Sequence, residues 1–156
     1  MRKIRLTVNN KKHIVQVDVS DSLLNVLRNK LGLVGTKEGC GEGFCGVCTI
    51  LLDGKAVNSC LILAVEADKR EIVTIEGVAE VPKWKALQDR MVERGAVQCG
   101  FCSPGMILTA LAAIENNPEL SSEDLKRALA GNLCRCGTYP KSLEAMLSYQ
   151  GELIKK

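Results

Sequence analysis

Residues 35–48 read GTKEGCGEGFCGVC, and this stretch decides the character of the first half of the chain. With Cys60 added, Cys40, Cys45 and Cys48 form the pattern C-x4-C-x2-C-x11-C, the plant-type spacing for a [2Fe–2S] cluster. Gly35, Gly39, Gly41, Gly43 and Gly46 crowd around three of those cysteines. A cluster needs converging thiolates and backbone N–H groups aimed at sulfur to disperse negative charge. Glycine supplies both, because it accepts positive φ and lets the backbone approach closely. A glycine-rich surface turn with incidental cysteines is the plainer alternative, and the spacing counts against it.

A second quartet, Cys99, Cys102, Cys134 and Cys136, reads C-x2-C-x31-C-x-C. Spacing alone leaves two readings open here, a second iron–sulfur cluster or a zinc knot, since C-x2-C is also a zinc half-site. The closing C-x-C is less usual for zinc. Ser103-Pro104 predicts an N-cap and first helical residue, so Cys99 and Cys102 sit at a helix N-terminus. There the positive partial field lowers thiol pKa and favours an anionic centre. His13, the only histidine, falls on a predicted strand. A Rieske centre, which needs two histidines on one iron, is excluded. So is any Ser/His/Asp or Cys/His nucleophile. Lys37, Glu38 and Glu42 read as solvated loop charges, and Trp84 and Tyr139 as packing residues. No catalytic residue is assigned to this chain.

The totals agree with a small metal-carrying protein. The 156 residues, 46% of them hydrophobic, allow one ordinary domain or two small ones, with no low-complexity tract. The start, MRKIRLTV, has no apolar region of the kind that marks a secretory signal. No stretch approaches the roughly 20 apolar residues of a membrane span. Eight cysteines without an export signal favour metal ligation over disulfides and a cytoplasmic location. The formal charge of +3 counts cysteines as neutral. Two four-thiolate centres are themselves anionic and carry the total below zero, which removes the case for nucleic-acid binding. Aromatics at 3% leave few surfaces for stacking bases.

Periodicity divides the chain. Ile4, Leu6 and Val8 alternate with polar residues, Asn9-Asn10 turns, and Val15, Val17 and Val19 resume the period of two. Ser20 is the predicted cap of a helix carrying Leu23, Leu24, Leu27 and Leu31, stopped at Gly32. Thr49 to Leu52 runs into the hairpin signal Asp53-Gly54, and Ile72 to Ile75 is a further strand. From about Val81 the period becomes helical. Trp84, Leu87 and Met91 mark one helix, and Ile107, Leu111 and Ile114 a second. A third, carrying Leu125 and Leu129, follows the Ser121/Asp124 capping signal and ends at Gly131-Asn132. Pro140 opens a fourth with Leu143, Met146 and Leu147. Segment 76–83 (EGVAEVPK) has no clear period, so residues 1–77 and 82–156 are the predicted domains, each with a core small enough for metal to act as a staple.

The segments KEGCGEGFCGVCTILLDGKAVNSC, GAVQCGFCSPGMILTA and LAGNLCRCGTYP, in that order, resemble the small iron–sulfur subunit of the molybdenum hydroxylases, the xanthine dehydrogenase and aerobic carbon monoxide dehydrogenase group. The resemblance implies an α+β fold, a β-grasp plant-type ferredoxin domain followed by an all-α four-helix bundle. It implies two [2Fe–2S] clusters, on Cys40/Cys45/Cys48/Cys60 and on Cys99/Cys102/Cys134/Cys136. Electrons would pass from molybdopterin on a large subunit through the helical cluster and then the ferredoxin-like one. The acceptor would be FAD on a medium subunit, or another acceptor, in a heterotrimer or a dimer of heterotrimers. By the same resemblance Gln98 contacts the pterin and Cys136 approaches its amino group. CRCGTYPKS replaces the CRCTGY common in xanthine-type members, which costs no ligand but leaves the substrate branch open. A zinc-stapled interaction module and a free two-cluster ferredoxin-like carrier are the competing readings. The second must explain a helical half that a plain ferredoxin lacks.

Overall fold

Strands β1 (Arg2–Val8) and β2 (Lys11–Val17) form an antiparallel hairpin in register from Arg2↔Val17 to Val8↔Lys11. The two-residue turn works because Asn9 and Asn10 both take positive φ, which asparagine tolerates better than most side chains. Alternation buries Ile4, Leu6 and Val8 on one face of β1. This computed structural model describes residues 1–155.

Helix α1 (Leu23–Asn25) widens at once into a π-helical turn, Val26–Lys30, and crosses the sheet with Leu23, Val26 and Leu27 fully buried. Strands β3 (Thr49–Leu52) and β4 (Lys55–Asn58) close a second hairpin over Asp53-Gly54, both at positive φ. Strand β5 (Glu71–Val73) enters between the hairpins, parallel to β1 and antiparallel to β3, so the sheet order is β2-β1-β5-β3-β4. A mixed sheet of two hairpins crossed by one helix is the β-grasp arrangement.

A short helix α2 (Ile75–Val78) leads into four longer ones: α3 (Pro82–Glu93), α4 (Ser103–Asn116), α5 (Ser122–Leu129) and α6 (Tyr139–Ile154). Helix α4 is the axis of this half. Met106, Ile107, Leu108, Ala110, Leu111 and Ile114 are all buried, so little of its circumference is left to water, as expected of a central helix.

The two halves have separate apolar clusters, but the second reaches across the boundary. One core holds Ile4, Leu6, Val17, Leu23, Leu27, Ile50, Leu52 and Ile72. The other collects the four helices together with Val47, Leu51 and Val78. Strand β3 is buried along its whole length because Ile50 and Leu52 face the first core while Leu51 faces α4. The helical half is therefore built against the back of the sheet.

Several local expectations shift. Ser22, not Ser20, caps α1, its hydroxyl accepting the Asn25 N–H at 3.1 Å. Ser20 instead bonds Asp18. Val19 lies beyond β2 and is exposed. Strand β5 stops at Val73, and Ile75 begins α2. Cys102 occupies the N-cap of α4, which moves Ser103 and Pro104 one place into the helix. Proline is tolerated there because the first-turn N–H groups have no intrahelical partner. Ser121 caps α5 as expected, accepting the Asp124 N–H at 3.1 Å. The Asp124 carboxylate takes the Ser121 hydroxyl rather than the cap's backbone N–H, so the box is incomplete.

Candidate metal centres

The loop from Gly39 to Cys48 is folded by its own backbone around sulfur. Cys40 Sγ accepts N–H bonds from Glu42 (3.4 Å), Phe44 (3.3 Å) and Cys45 (3.4 Å), and Cys45 Sγ accepts the Cys40 N–H (3.4 Å). Aiming successive amides inward requires left-handed residues, and Gly41, Gly43 and Gly46 supply them at φ +71, +82 and +68. Those bonds, from Glu42 first, hold the Cys40 thiol down at about 6. Cys60 arrives on the 3₁₀ turn Ser59–Leu61, which Ser59 fastens to the Cys48 carbonyl through its hydroxyl at 2.7 Å. Burial, and then a hydrogen bond with the Cys48 thiol, push Cys60 up to about 11.

The second quartet gathers at one end of the bundle. Cys99 and Cys102 precede α4, and Cys134 and Cys136 lie between α5 and α6. A bond from the Phe101 amide and then one from the Cys136 thiol draw Cys99 below its ordinary value. Burial, and then donation to Cys134, lift Cys102 to about 12. Burial alone would raise Cys134, but bonds from the Thr138 hydroxyl and backbone and from Cys102 outweigh it and bring it to about 7. Thr138 Oγ1 stands 3.4 Å from Cys134 Sγ.

Cys40 and Cys45 exchange backbone N–H bonds to each other's sulfur at 3.4 Å, and Cys134 Sγ lies beside the Thr138 hydroxyl. Among the described residues, no three His, Cys, Asp or Glu side chains close on one point as a single ion requires.

The two quartets are neighbours. The Leu133 N–H donates to the Cys45 carbonyl at 2.9 Å, which places the loop of the first quartet one residue from Cys134 of the second. A cleft between them is lined by Gly39, Cys45, Cys99, Phe101, Cys102 and Leu133. Gln98 is exposed immediately before exposed Cys99, whereas Cys136 is half-buried. Lys37 is half-buried and Glu38 and Glu42 are exposed; His13 lies on β2 opposite Leu6. Trp84 packs between α3 and α4 and donates Nε1–H to Glu115 at 3.3 Å. Tyr139 does more than pack, since its hydroxyl accepts the Cys134 N–H at 2.7 Å. Sequence reasoning missed this, although a tyrosine three residues after the last cysteine was the available signal.

A β-grasp sheet and a helical bundle, each presenting four free cysteines, together describe a two-cluster iron–sulfur protein. Residues 6–73 match the 2Fe-2S iron-sulfur cluster binding domain family, and residues 74–147 match the [2Fe-2S] binding domain family. The chain is 45% identical over 149 residues to the nicotinate dehydrogenase small FeS subunit of Eubacterium barkeri, covering 96% of this chain and 94% of that one. It is 42% identical over 154 residues to the nicotine 6-hydroxylase small subunit of Paenarthrobacter nicotinovorans, covering 99% and 93%. Quinoline 2-oxidoreductase from Pseudomonas putida 86 superposes with a TM-score of 0.91 at 41% identity, over 97% of this chain and 94% of that one. The aldehyde oxidoreductase of Desulfovibrio gigas gives 0.92 at 38%, over all of this chain but 18% of that longer one. This chain belongs to the iron–sulfur subunit family of the molybdenum hydroxylases. It carries two [2Fe–2S] clusters and serves as an electron-transfer subunit of an oxidoreductase.

Proposed function

We propose that Cys40 with Cys45 and Cys48 with Cys60 grip the two irons of one cluster. Cys99 with Cys136 and Cys102 with Cys134 grip those of the other. The observation that carries this reading is the exchange of backbone N–H bonds to sulfur between Cys40 and Cys45, with the Cys45 carbonyl bonded to Leu133 beside Cys134. When bound, each cluster takes up and releases one electron. The protein's own part is to present the thiol pairs, aim backbone amides at sulfur, and keep the two ligand loops in contact through Leu133 and Cys45.

In this reading residues 1–77 and 82–156 are the two cluster-bearing units. The helical unit faces a large molybdopterin-binding subunit, with Gln98 and Cys136 touching the pterin; the exposure of Gln98 beside Cys99 supports that contact. The ferredoxin-like unit faces a medium FAD-binding subunit across the exposed side chains of Phe44 and Leu61, which flank the first quartet. Electrons run from the molybdopterin side to the flavin side, in a cytoplasmic heterotrimer or dimer of heterotrimers. The partner assignment draws on the small-subunit relatives. No helix among the described residues is long and apolar enough to cross a membrane.

Cys134→Ser tests the ligand assignment. The expected result is loss of one of two electron paramagnetic resonance signals, with iron and acid-labile sulfide falling by about half and the other signal intact. Retention of both signals, or zinc in place of iron and sulfide in the unaltered protein, would overturn it.

A further inference from the structure

Asn132 is a polar side chain, 4% exposed, that ends α5 with its backbone and reaches into the other half with its amide. Its Nδ2 donates to the Gly46 carbonyl at 2.9 Å and lies 3.5 Å from Thr49 Oγ1. The next residue, Leu133, donates its backbone N–H to the Cys45 carbonyl at 2.9 Å. Two consecutive carbonyls between Cys45 and Cys48 are thus fastened to two consecutive residues directly before Cys134. Either bond alone would be a pivot. Two of them, on adjacent peptide units, also fix rotation.

The surroundings leave this joint no slack. Gly46 is at φ +68, and a Cβ there would lie 2.3 Å from the Gly131 carbonyl oxygen. A Cβ on Gly105, in the first turn of α4, would lie 2.3 Å from the Gly46 carbonyl oxygen. Three backbone segments therefore meet around Gly46, and at Gly46 and Gly105 the approach is as close as glycine permits. The Asn132 amide is the one side chain of the second ligand loop that donates to the Gly46 carbonyl.

We infer that Asn132 is a positioning residue for electron transfer: with Leu133 it sets the separation and mutual orientation of the two thiol quartets. It touches no ligand sulfur and acts through the Cys45–Cys48 and Asn132–Cys136 loops. The inference rests on the reading that each quartet holds a [2Fe–2S] cluster.

The test uses the assembled complex reduced with dithionite, comparing unaltered protein with Asn132→Leu and Gly105→Ala. The first removes the donor at nearly constant volume, and the second presses on the same carbonyl from α4. Magnetic coupling between two reduced clusters falls steeply with their separation and is read as low-temperature splitting of the resonance lines. Both variants are expected to keep full iron and acid-labile sulfide and both signals, while the splitting shrinks or vanishes and transfer between the clusters slows. Unchanged splitting with both clusters present would overturn the assignment. So would an unaltered complex without splitting, or loss of a cluster in both variants, which would make the joint a scaffold for ligation alone. Absence of iron and sulfide from the unaltered protein would instead overturn the cluster reading beneath it.

Discussion

Replacing Gly46 by alanine separates two costs that positive-φ glycines usually carry together. Gly54, in the β3–β4 turn, has φ +79 and nothing within 4 Å of an added Cβ. Gly54→Ala therefore carries only the left-handed backbone penalty, about 1–2 kcal/mol. Gly46→Ala carries the same penalty, and its Cβ would also meet the Gly131 carbonyl oxygen at 2.3 Å and Asn132 Nδ2 at 2.7 Å. A backbone oxygen cannot swing aside as a side-chain tip can, so the two loops must part. The Asn132–Gly46 and Leu133–Cys45 hydrogen bonds are lost with them. At about 1 kcal/mol net for each bond, the total for Gly46→Ala comes to about 3–4 kcal/mol. The assay is urea unfolding of the cluster-loaded protein, followed by far-ultraviolet circular dichroism and by visible absorption. A gap of about 2 kcal/mol between the variants lowers the Gly46→Ala midpoint by about 0.7–2 M relative to Gly54→Ala, for slopes of about 1–3 kcal/mol per M. Coincident midpoints would refute the claim that the joint between the halves is close-packed at Gly46.

Other perturbations test other parts of the chain. Leu111 on α4 is fully buried; Leu111→Ala should destabilise the protein by about 2–5 kcal/mol and lower its melting temperature in calorimetry. Ser121→Ala removes the cap of α5 and should cost about 0.5–2 kcal/mol in the same measurement, an effect that Ser121→Asp restores. Thr138→Val deletes the hydroxyl beside Cys134 Sγ, and hydrogen bonds to sulfur stabilise the more negative, reduced state. Redox titration should then show the potential of the helical cluster falling while the ferredoxin-like cluster stays put, and equal shifts in both would count against the local explanation.

Short-range chemistry was legible in the sequence. Asn9-Asn10 and Asp53-Gly54 announced their turns because few residue types accept positive φ, and those turns fixed the registers of both hairpins. Cap positions slipped where several candidates stood side by side. Ser20, Asp21 and Ser22 can each cap a helix, and the choice fell to Ser22 because its strand-like bridge to Leu63 and the Leu23–Ile62 hydrogen bond hold the chain there. Val19 continued a pattern of alternation past the point where β1 offered a partner, since β1 begins at Arg2 opposite Val17. Tyr139 read as an apolar ring at a helix start, and only the folded turn brings its hydroxyl under the Cys134 amide.

By itself the sequence determined the outline of the metal chemistry: eight cysteines in two spacings, glycines where sulfur needs close amides, and a change of period that separates a sheet from a bundle. Those are properties of neighbours along the chain, which local sterics and ligand type express directly. That the two cysteine-bearing loops share a joint was decided only in three dimensions. Asn132 and Gly46 stand 86 residues apart, and nothing in either segment specifies a contact that arises when α4 packs against β3.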